Sequence, residues 1–167
     1  YDSAGLATLG PHNEILRNRQ IGKVANLVAE VGNLDLNGTI GIAHTRWATH
    51  GSVIVENTHP HMSGDNLALV HNGIIENNQE LKVQLQEIGY QFLSDTDSEV
   101  IVHLIDSCLK EGISLIEAVR KSVKRLDGAY AIAVISTDFP DRIVAARSGC
   151  PLVIGKGIGE NFVASDV

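Results

Sequence analysis

Cysteine is scarce in this 167-residue chain: there are two, Cys108 and Cys150. They are too few and too far apart for a disulfide framework or a CxxC metal site, and that usage fits a reducing, cytoplasmic compartment. Positive charge is also in deficit, with 13 Lys and Arg against 20 Asp and Glu and a formal net charge of −7 at pH 7. Such a surface repels a phosphate backbone unless cations are gathered locally, so nucleic acid is not an expected partner. The one basic cluster, Arg120, Lys121, Lys124 and Arg125, falls in the last turns of a predicted helix and reads as a solvated helix end that complements the dipole. Long hydrophobic runs are missing. The longest, Ala129 to Ile135, is far short of the ~20 residues that cross a bilayer, so no membrane span is expected. There is no repeat, low-complexity tract or linker. With 44% hydrophobic and 20% charged residues, the composition is that of an ordinary globular domain, long enough for one core. The only methionine is Met62. The chain opens at Tyr1-Asp2-Ser3-Ala4-Gly5 without a signal-peptide pattern, so Tyr1 is not expected to be the natural start. The abrupt stop at Val167 points to a cut C-terminus as well.

Periodicity supplies the elements. Ala4 to Leu9 and Ile15 to Ile21 read as strands around the turn cluster Gly10-Pro11-His12-Asn13. Val24, Leu27, Val28 and Val31 recur at helical spacing before Gly32, a stop signal. Thr39 to Arg46 reads as a strand, followed by an aperiodic segment to Asp65 of the length that is usually functional. Within Leu67 to Ile75, Asn72-Gly73 predicts a tight hairpin tip, because that pair tolerates positive φ. Leu81, Leu85 and Ile88 mark a helix ended by Gly89. Thr96 with Glu99, and Ser114 with Glu117, each predict a capping box at a helix start. Ala129 to Ser136 and Arg142 to Ser148 read as strands, the first apolar on both faces and in need of cover on both sides. Leu152 to Ile154 and Phe162 to Ala164 are shorter strands. Strands come in runs and helices in pairs, which predicts mainly antiparallel sheets with helices on their faces, an α+β fold.

Five of the seven histidines, His44, His50, His59, His61 and His71, fall close together in the sequence. No HExxH or adjacent acidic ligand completes a metal site, so no metal is expected, and histidines that hydrogen-bond loop backbone are the simpler reading. Gly155-Lys156-Gly157-Ile158-Gly159 lacks the phosphate-loop ending and reads as a β-turn. Cys108 lies on the apolar stripe of its helix, an inert buried thiol. No GxSxG elbow is present, so no internal nucleophile is located. What remains is recognition chemistry. Arg46 at a strand end offers a fork for a carboxylate, with Thr49 and His50 in the loop that follows. Asn72 and Gly73 can point an amide and a backbone N–H at a developing oxyanion, and Asp97 can accept from an ammonium group. Together these describe an α-amino acid site. The plainer alternatives are an Asp97 that only stabilises the first turn of its helix and an Asn72-Gly73 that is only a turn.

Three motifs, His44-Thr45-Arg46-Trp47-Ala48-Thr49-His50-Gly51, His71-Asn72-Gly73-Ile74-Ile75-Glu76-Asn77 and Ser94-Asp95-Thr96-Asp97-Ser98-Glu99, resemble the glutaminase domain of class II glutamine amidotransferases. The opening Tyr1 to Ala7 and the closing Gly159 to Asp166 are similar to the branch of that family, in its bacterial form, that supplies ammonia for converting fructose 6-phosphate to glucosamine 6-phosphate. The resemblance implies the N-terminal nucleophile hydrolase fold, an αββα sandwich of two mainly antiparallel sheets between helical layers. Residues 1–167 would then be part of one glutaminase domain, truncated at its N-terminus and also at its C-terminus. It implies L-glutamine as substrate, with Arg46 on the α-carboxylate, Asp97 on the α-amino group, Thr49 and His50 lining the pocket, Asn72 and Gly73 as the oxyanion hole, and Trp47 on a gating loop. No cofactor is implied. The family's nucleophile is an N-terminal cysteine upstream of this stretch, which alone is expected to be inactive. A sugar-phosphate isomerase domain of the same polypeptide is the implied partner, with a homodimer formed through it. Other class II members such as amidophosphoribosyltransferase, a non-catalytic glutamine-binding domain and a metal-dependent hydrolase stay as alternatives.

Overall fold

In the computed structural model, which describes residues 1–32, 36, 38–47 and 52–166, the first strands follow their alternation closely. β1 (Ser3–Leu9) runs antiparallel to both β2 (Ile15–Ile21) and β3 (Gly41–Arg46), in a sheet ordered β2-β1-β3. Asn13 takes φ of 61° in the β1–β2 turn, a left-handed conformation that its short polar side chain tolerates. α1 (Val24–Val31) packs beside this sheet and buries Leu27.

The second sheet holds β4 (His61–Ser63), β5 (Leu67–Ile75), β6 (Gly128–Ser136) and β7 (Val144–Ser148) in that order, all antiparallel. α2 (Asn78–Glu87), α3 (Asp97–Leu109) and α4 (Leu115–Val123) lie between β5 and β6 in sequence. β8 (Val153–Lys156) and β9 (Asn161–Ala164) form a separate ribbon whose turn closes with a Gly157 N–H bond to the Glu160 carbonyl, so the glycine run there is a β-turn.

Alternation along β5 and β6 divides the apolar residues between two cores. Leu67, Leu69, Ile132 and Val134 pack with Ile101, Leu104, Ile105 and Leu115 of the helices. Ala68, Ala133 and Ile135 face Ala7, Leu9 and Ile42 of the first sheet. Small alanines on that inner face let two sheets approach, while the helical side is filled by leucine and isoleucine, each worth about 1.5–3 kcal/mol when fully buried. The result is an α+β sandwich of two antiparallel sheets with helices outside, as expected. Among the described residues no helix is long and apolar enough to cross a membrane.

Three expectations need correction. Asn72-Gly73 is not a hairpin tip: β5 runs straight through it, paired with β6 from Leu67↔Ser136 to Ile75↔Gly128. Gly73 has φ of 125°, and a Cβ there would lie 2.0 Å from the Ala129 carbonyl oxygen, so glycine serves close approach of two backbones rather than a turn. The Thr96–Glu99 pair forms no capping box, since the Thr96 side chain makes no cap bond to α3. The segment before Asp65 is not wholly aperiodic, holding a 3₁₀ turn at Val55–Asn57 as well as β4. By contrast, Ser114 and Glu117 form the predicted box at α4, and Cys108 is buried in α3.

Candidate functional site

The layer between the sheets changes character along its length. On the inner face of β3, Ile42 lies in the apolar core, and His44 and Arg46 follow at the two-residue spacing that keeps side chains on one face. On β5 the matching series is Ala68, Val70, Asn72. The sandwich is therefore dry in its middle and becomes polar, then charged, toward the end of β3. There His44 Nε2 meets Asn72 Oδ1 at 2.7 Å.

Arg46 is buried, with 6% of its surface exposed. It sits opposite Ser3, accepts the Asp2 N–H on its carbonyl at 2.8 Å, and donates from Nη1 to the Ser52 carbonyl. Trp47 follows at the surface with its ring edge-on to Tyr1, 6.3 Å between centroids. The Ser52 carbonyl also accepts from Asn57 Nδ2, and Asn57 Oδ1 accepts the Asp95 N–H. A chain of hydrogen bonds thus runs from Arg46 to the residues that open α3.

Asp97 is the first residue of α3. Its Oδ2 accepts the Ile75 N–H at 2.7 Å, and its Oδ1 lies 4.0 Å from His71 Nδ1. Asn72, Gly73 and Asp97 are thereby gathered at one end of β5. A cleft of about 90 Å³ opens there, lined in part by His44, His71 and Asn72 and across from them by Val163 to Ser165. The larger cavity, about 530 Å³, lies near the start of β5 beside Ser63, Tyr90 and Asp106 and holds none of the candidate site residues. Thr49 and His50 lie outside the described residues.

Behind this end of β5 stands a set of histidines, of which His59, His61 and His71 are buried and His44 is half-buried. His44 stacks on His59 with centroids 4.1 Å apart, and His61 meets His59 edge-on at 4.7 Å. Ser98 Oγ lies 2.9 Å from both His59 Nε2 and His71 Nδ1. A hydroxyl has one proton, so Ser98 donates to one ring and accepts from the other; the Asp97 carboxylate favours the proton on His71 Nδ1. Thr96 Oγ1 bonds His61 Nε2 and Ser94 Oγ. Burial keeps these rings neutral. It lowers the pKa of His44 despite the Asn72 hydrogen bond, that of His59 well below the usual value, that of His61 to about 3, and that of His71 to about 4 with Asp97 opposing. Among the described residues no group of three or more His, Cys, Asp or Glu is arranged to hold a metal ion.

Glu99 anchors the far side. Burial alone would raise its pKa, but contact with His103 and bonds from Leu93 N–H, Ser94 N–H and Ser94 Oγ hold it at about 2. From the opposite sheet, Arg17 donates to the Pro60 carbonyl and Arg19 to that of Thr58, pinning the segment that carries His59 and His61. Ser98, Asn57, Arg17 and Arg19 were not singled out from the sequence. The only local signal was the spacing of Arg17 and Arg19 on one face of β2, whose target lies some forty residues away.

The arrangement gathers a carboxylate, an amide and a glycine at one end of β5, with Asn72 also lining the cleft and a buried guanidinium tied to the start of α3 by hydrogen bonds. Comparison with known proteins agrees. Residues 44–167 match the glutamine amidotransferase domain family. Curated relatives named glutamine–fructose-6-phosphate aminotransferase (isomerizing) are 58% identical in Pseudomonas putida and 55% identical in Acinetobacter baylyi, over 99% of this chain. The chain spans 27% of the length of those relatives. The solved glutamine phosphoribosylpyrophosphate amidotransferase of B. subtilis, complexed with ADP and GMP, superposes with a TM-score of 0.78 at 27% identity, over 97% of this chain and 35% of that one. A structure described as the allosteric regulatory enzyme of purine biosynthesis gives 0.80 at 30% identity over the same shares. With its fold and its sequence in agreement, the chain belongs to the glutamine amidotransferase domain family.

Proposed function

We propose that this chain is the glutamine-hydrolysing part of a longer cytoplasmic enzyme that delivers ammonia for converting fructose 6-phosphate to glucosamine 6-phosphate. The observation that carries the reading is the convergence of Asn72, Gly73 and Asp97 on one end of β5, where the hydrogen-bonded chain from Arg46 also arrives. The sugar substrate follows from the relatives' name, held at 58% identity, against 27% for the phosphoribosylpyrophosphate enzyme. Arg46 binds the glutamine α-carboxylate, Asp97 the α-ammonium, and Thr49 and His50 line the same pocket. A cysteine thiolate preceding Tyr1 in the longer chain attacks the side-chain amide carbon, its own α-amino group taking the thiol proton. The oxyanion receives hydrogen bonds from the Asn72 amide and the Gly73 N–H. As the adduct collapses, the protonated α-amino group returns that proton to the departing nitrogen, which leaves as ammonia; the remaining thioester is hydrolysed by water to glutamate, restoring the thiol. Trp47, exposed at the rim, closes over bound glutamine and directs ammonia to a sugar-phosphate isomerase domain, through which the enzyme dimerises.

The test uses the full-length polypeptide, with glutamate release and glucosamine 6-phosphate both measured. Asn72→Ala lowers kcat by roughly 10²–10³-fold with KM within a few-fold, because the donor meets charge mainly in the transition state. Arg46→Ala strips a carboxylate of its partner at a cost of about 3–5 kcal/mol and shows as a large rise in KM. A full-length protein that releases no glutamate from glutamine overturns the reading. An Asn72→Ala variant that is less stable but fully active removes the oxyanion role.

A further inference from the structure

An asparagine amide that serves as an oxyanion donor has a problem of direction. Its terminal torsion is broad and roughly two-fold, so oxygen and nitrogen exchange places at little cost in an unconstrained side chain. Turned one way it offers an N–H to developing negative charge; turned the other it offers a lone pair, which repels that charge. Something must choose.

The neighbour that can choose is His44. Its Nε2 lies 2.7 Å from Asn72 Oδ1 across the inter-sheet layer. Nδ1 of the same ring makes no hydrogen bond, so a proton on Nε2 leaves a lone pair rather than an N–H without a partner, the less costly arrangement in a buried site. With Nε2–H donating, Oδ1 is occupied and the two amide protons of Asn72 turn away from His44. The ring is itself constrained. His59 stacks against it, His59 is bonded to Ser98 on α3, and Ser98 is bonded to His71, the residue beside Asn72. The helix that presents Asp97 and the strand that presents Asn72 therefore share one support.

We propose that His44 is a positioning residue for glutamine hydrolysis, whose Nε2–H fixes the Asn72 amide with its nitrogen toward the oxyanion. The proposal rests on the reading of Asn72 as an oxyanion donor. In this role His44 acts on the reaction through Asn72.

Two near-isosteric substitutions in the full-length enzyme test this. His44→Gln keeps an N–H donor within reach of Asn72 Oδ1, whereas His44→Met fills similar space without one. The expected result is a kcat for His44→Met lowered by about 10–100-fold with KM within a few-fold, the usual scale for losing an outer supporting hydrogen bond, and a kcat for His44→Gln within about 3-fold of the parent. In an Asn72→Ala background, His44→Met should add less than about 2-fold, since residues acting as one unit are not additive. Equal loss in His44→Gln and His44→Met, or a full further loss in the Asn72→Ala background, overturns the proposal. If Asn72→Ala alone leaves kcat unchanged, the oxyanion reading has failed first, and that outcome is distinct. Should His44→Met not fold, long-range ¹H–¹⁵N spectra of the parent enzyme labelled on histidine decide: His44 protonated at Nε2 supports the proposal, and protonation at Nδ1 alone overturns it.

Discussion

Two helices in this chain begin with the same four-residue signature and use it differently. At α4, Ser114 accepts the Glu117 N–H and Glu117 accepts the Ser114 N–H, each satisfying a donor of the other's backbone at an exposed turn. At α3, Thr96 turns its hydroxyl away from the helix to His61 and Ser94, and Glu99 collects Leu93 N–H, Ser94 N–H and Ser94 Oγ. Exposure separates them: Glu99 is 4% exposed, and a carboxylate taken out of water must be saturated with donors. The loop before α3 supplies three. One motif therefore serves a local cap where water is near and a tertiary anchor where it is absent. At α3 that anchor also holds the helix end that presents Asp97.

Acid should separate the two helix starts most. His61 and His71 have folded pKa values of about 3 and about 4, below the ordinary ~6.5. A depressed value means stability that is complete above about pH 6.5 and lost as pH falls toward the folded value. Between pH 7 and pH 5 each ring costs about 2 kcal/mol at ~1.4 kcal/mol per unit. Glu99, held at about 2, adds its own loss only below about pH 4.3. A denaturant midpoint that is flat from pH 7 to pH 5 would show that these rings are not buried neutral. Next in size, Glu99→Gln should destabilise by about 3 kcal/mol, because an amide nitrogen is set against donors that were satisfied. The same chemical denaturation measures it, and a loss under about 1 kcal/mol would place Glu99 with Glu117 as a surface cap. Smallest, Ser114→Ala should cost about 1 kcal/mol, with thermal melting as the check. An effect as large as that of Glu99→Gln would erase the contrast.

Much of the fold was legible because it is written in short-range pattern. The strand Ile15–Ile21, the helix Val24–Val31 and the cap at Ser114 match their expected bounds or partners. Asn72-Gly73 misled because its local preference for a turn is outweighed by nine ladder pairs with β6, partners more than fifty residues away in the sequence. Candidate site residues stand out in the sequence where a single residue type suggests a chemistry, as with Arg46 and Asp97. They do not where the function of a side chain depends on what faces it. Ser98 reads as an ordinary helical serine until His59 and His71 are set on either side of it, and nothing near His44 in sequence announces Asn72.

The β5–β6 ladder belongs to both cores, giving Leu69 and Val134 to the helical side and Ala68 and Ala133 to the inter-sheet side. Neither core can open while the other stays intact, because unzipping this ladder removes a wall from each. The sandwich should accordingly lose its structure in one cooperative step. Its slowest-exchanging amides should be those in the middle of β5 and β6, near Leu69 and Val134, exchanging only through global unfolding. Those amides lie a few residues from Asn72 along the same strand, so the donor proposed for the oxyanion is mounted on the part of the molecule that opens last.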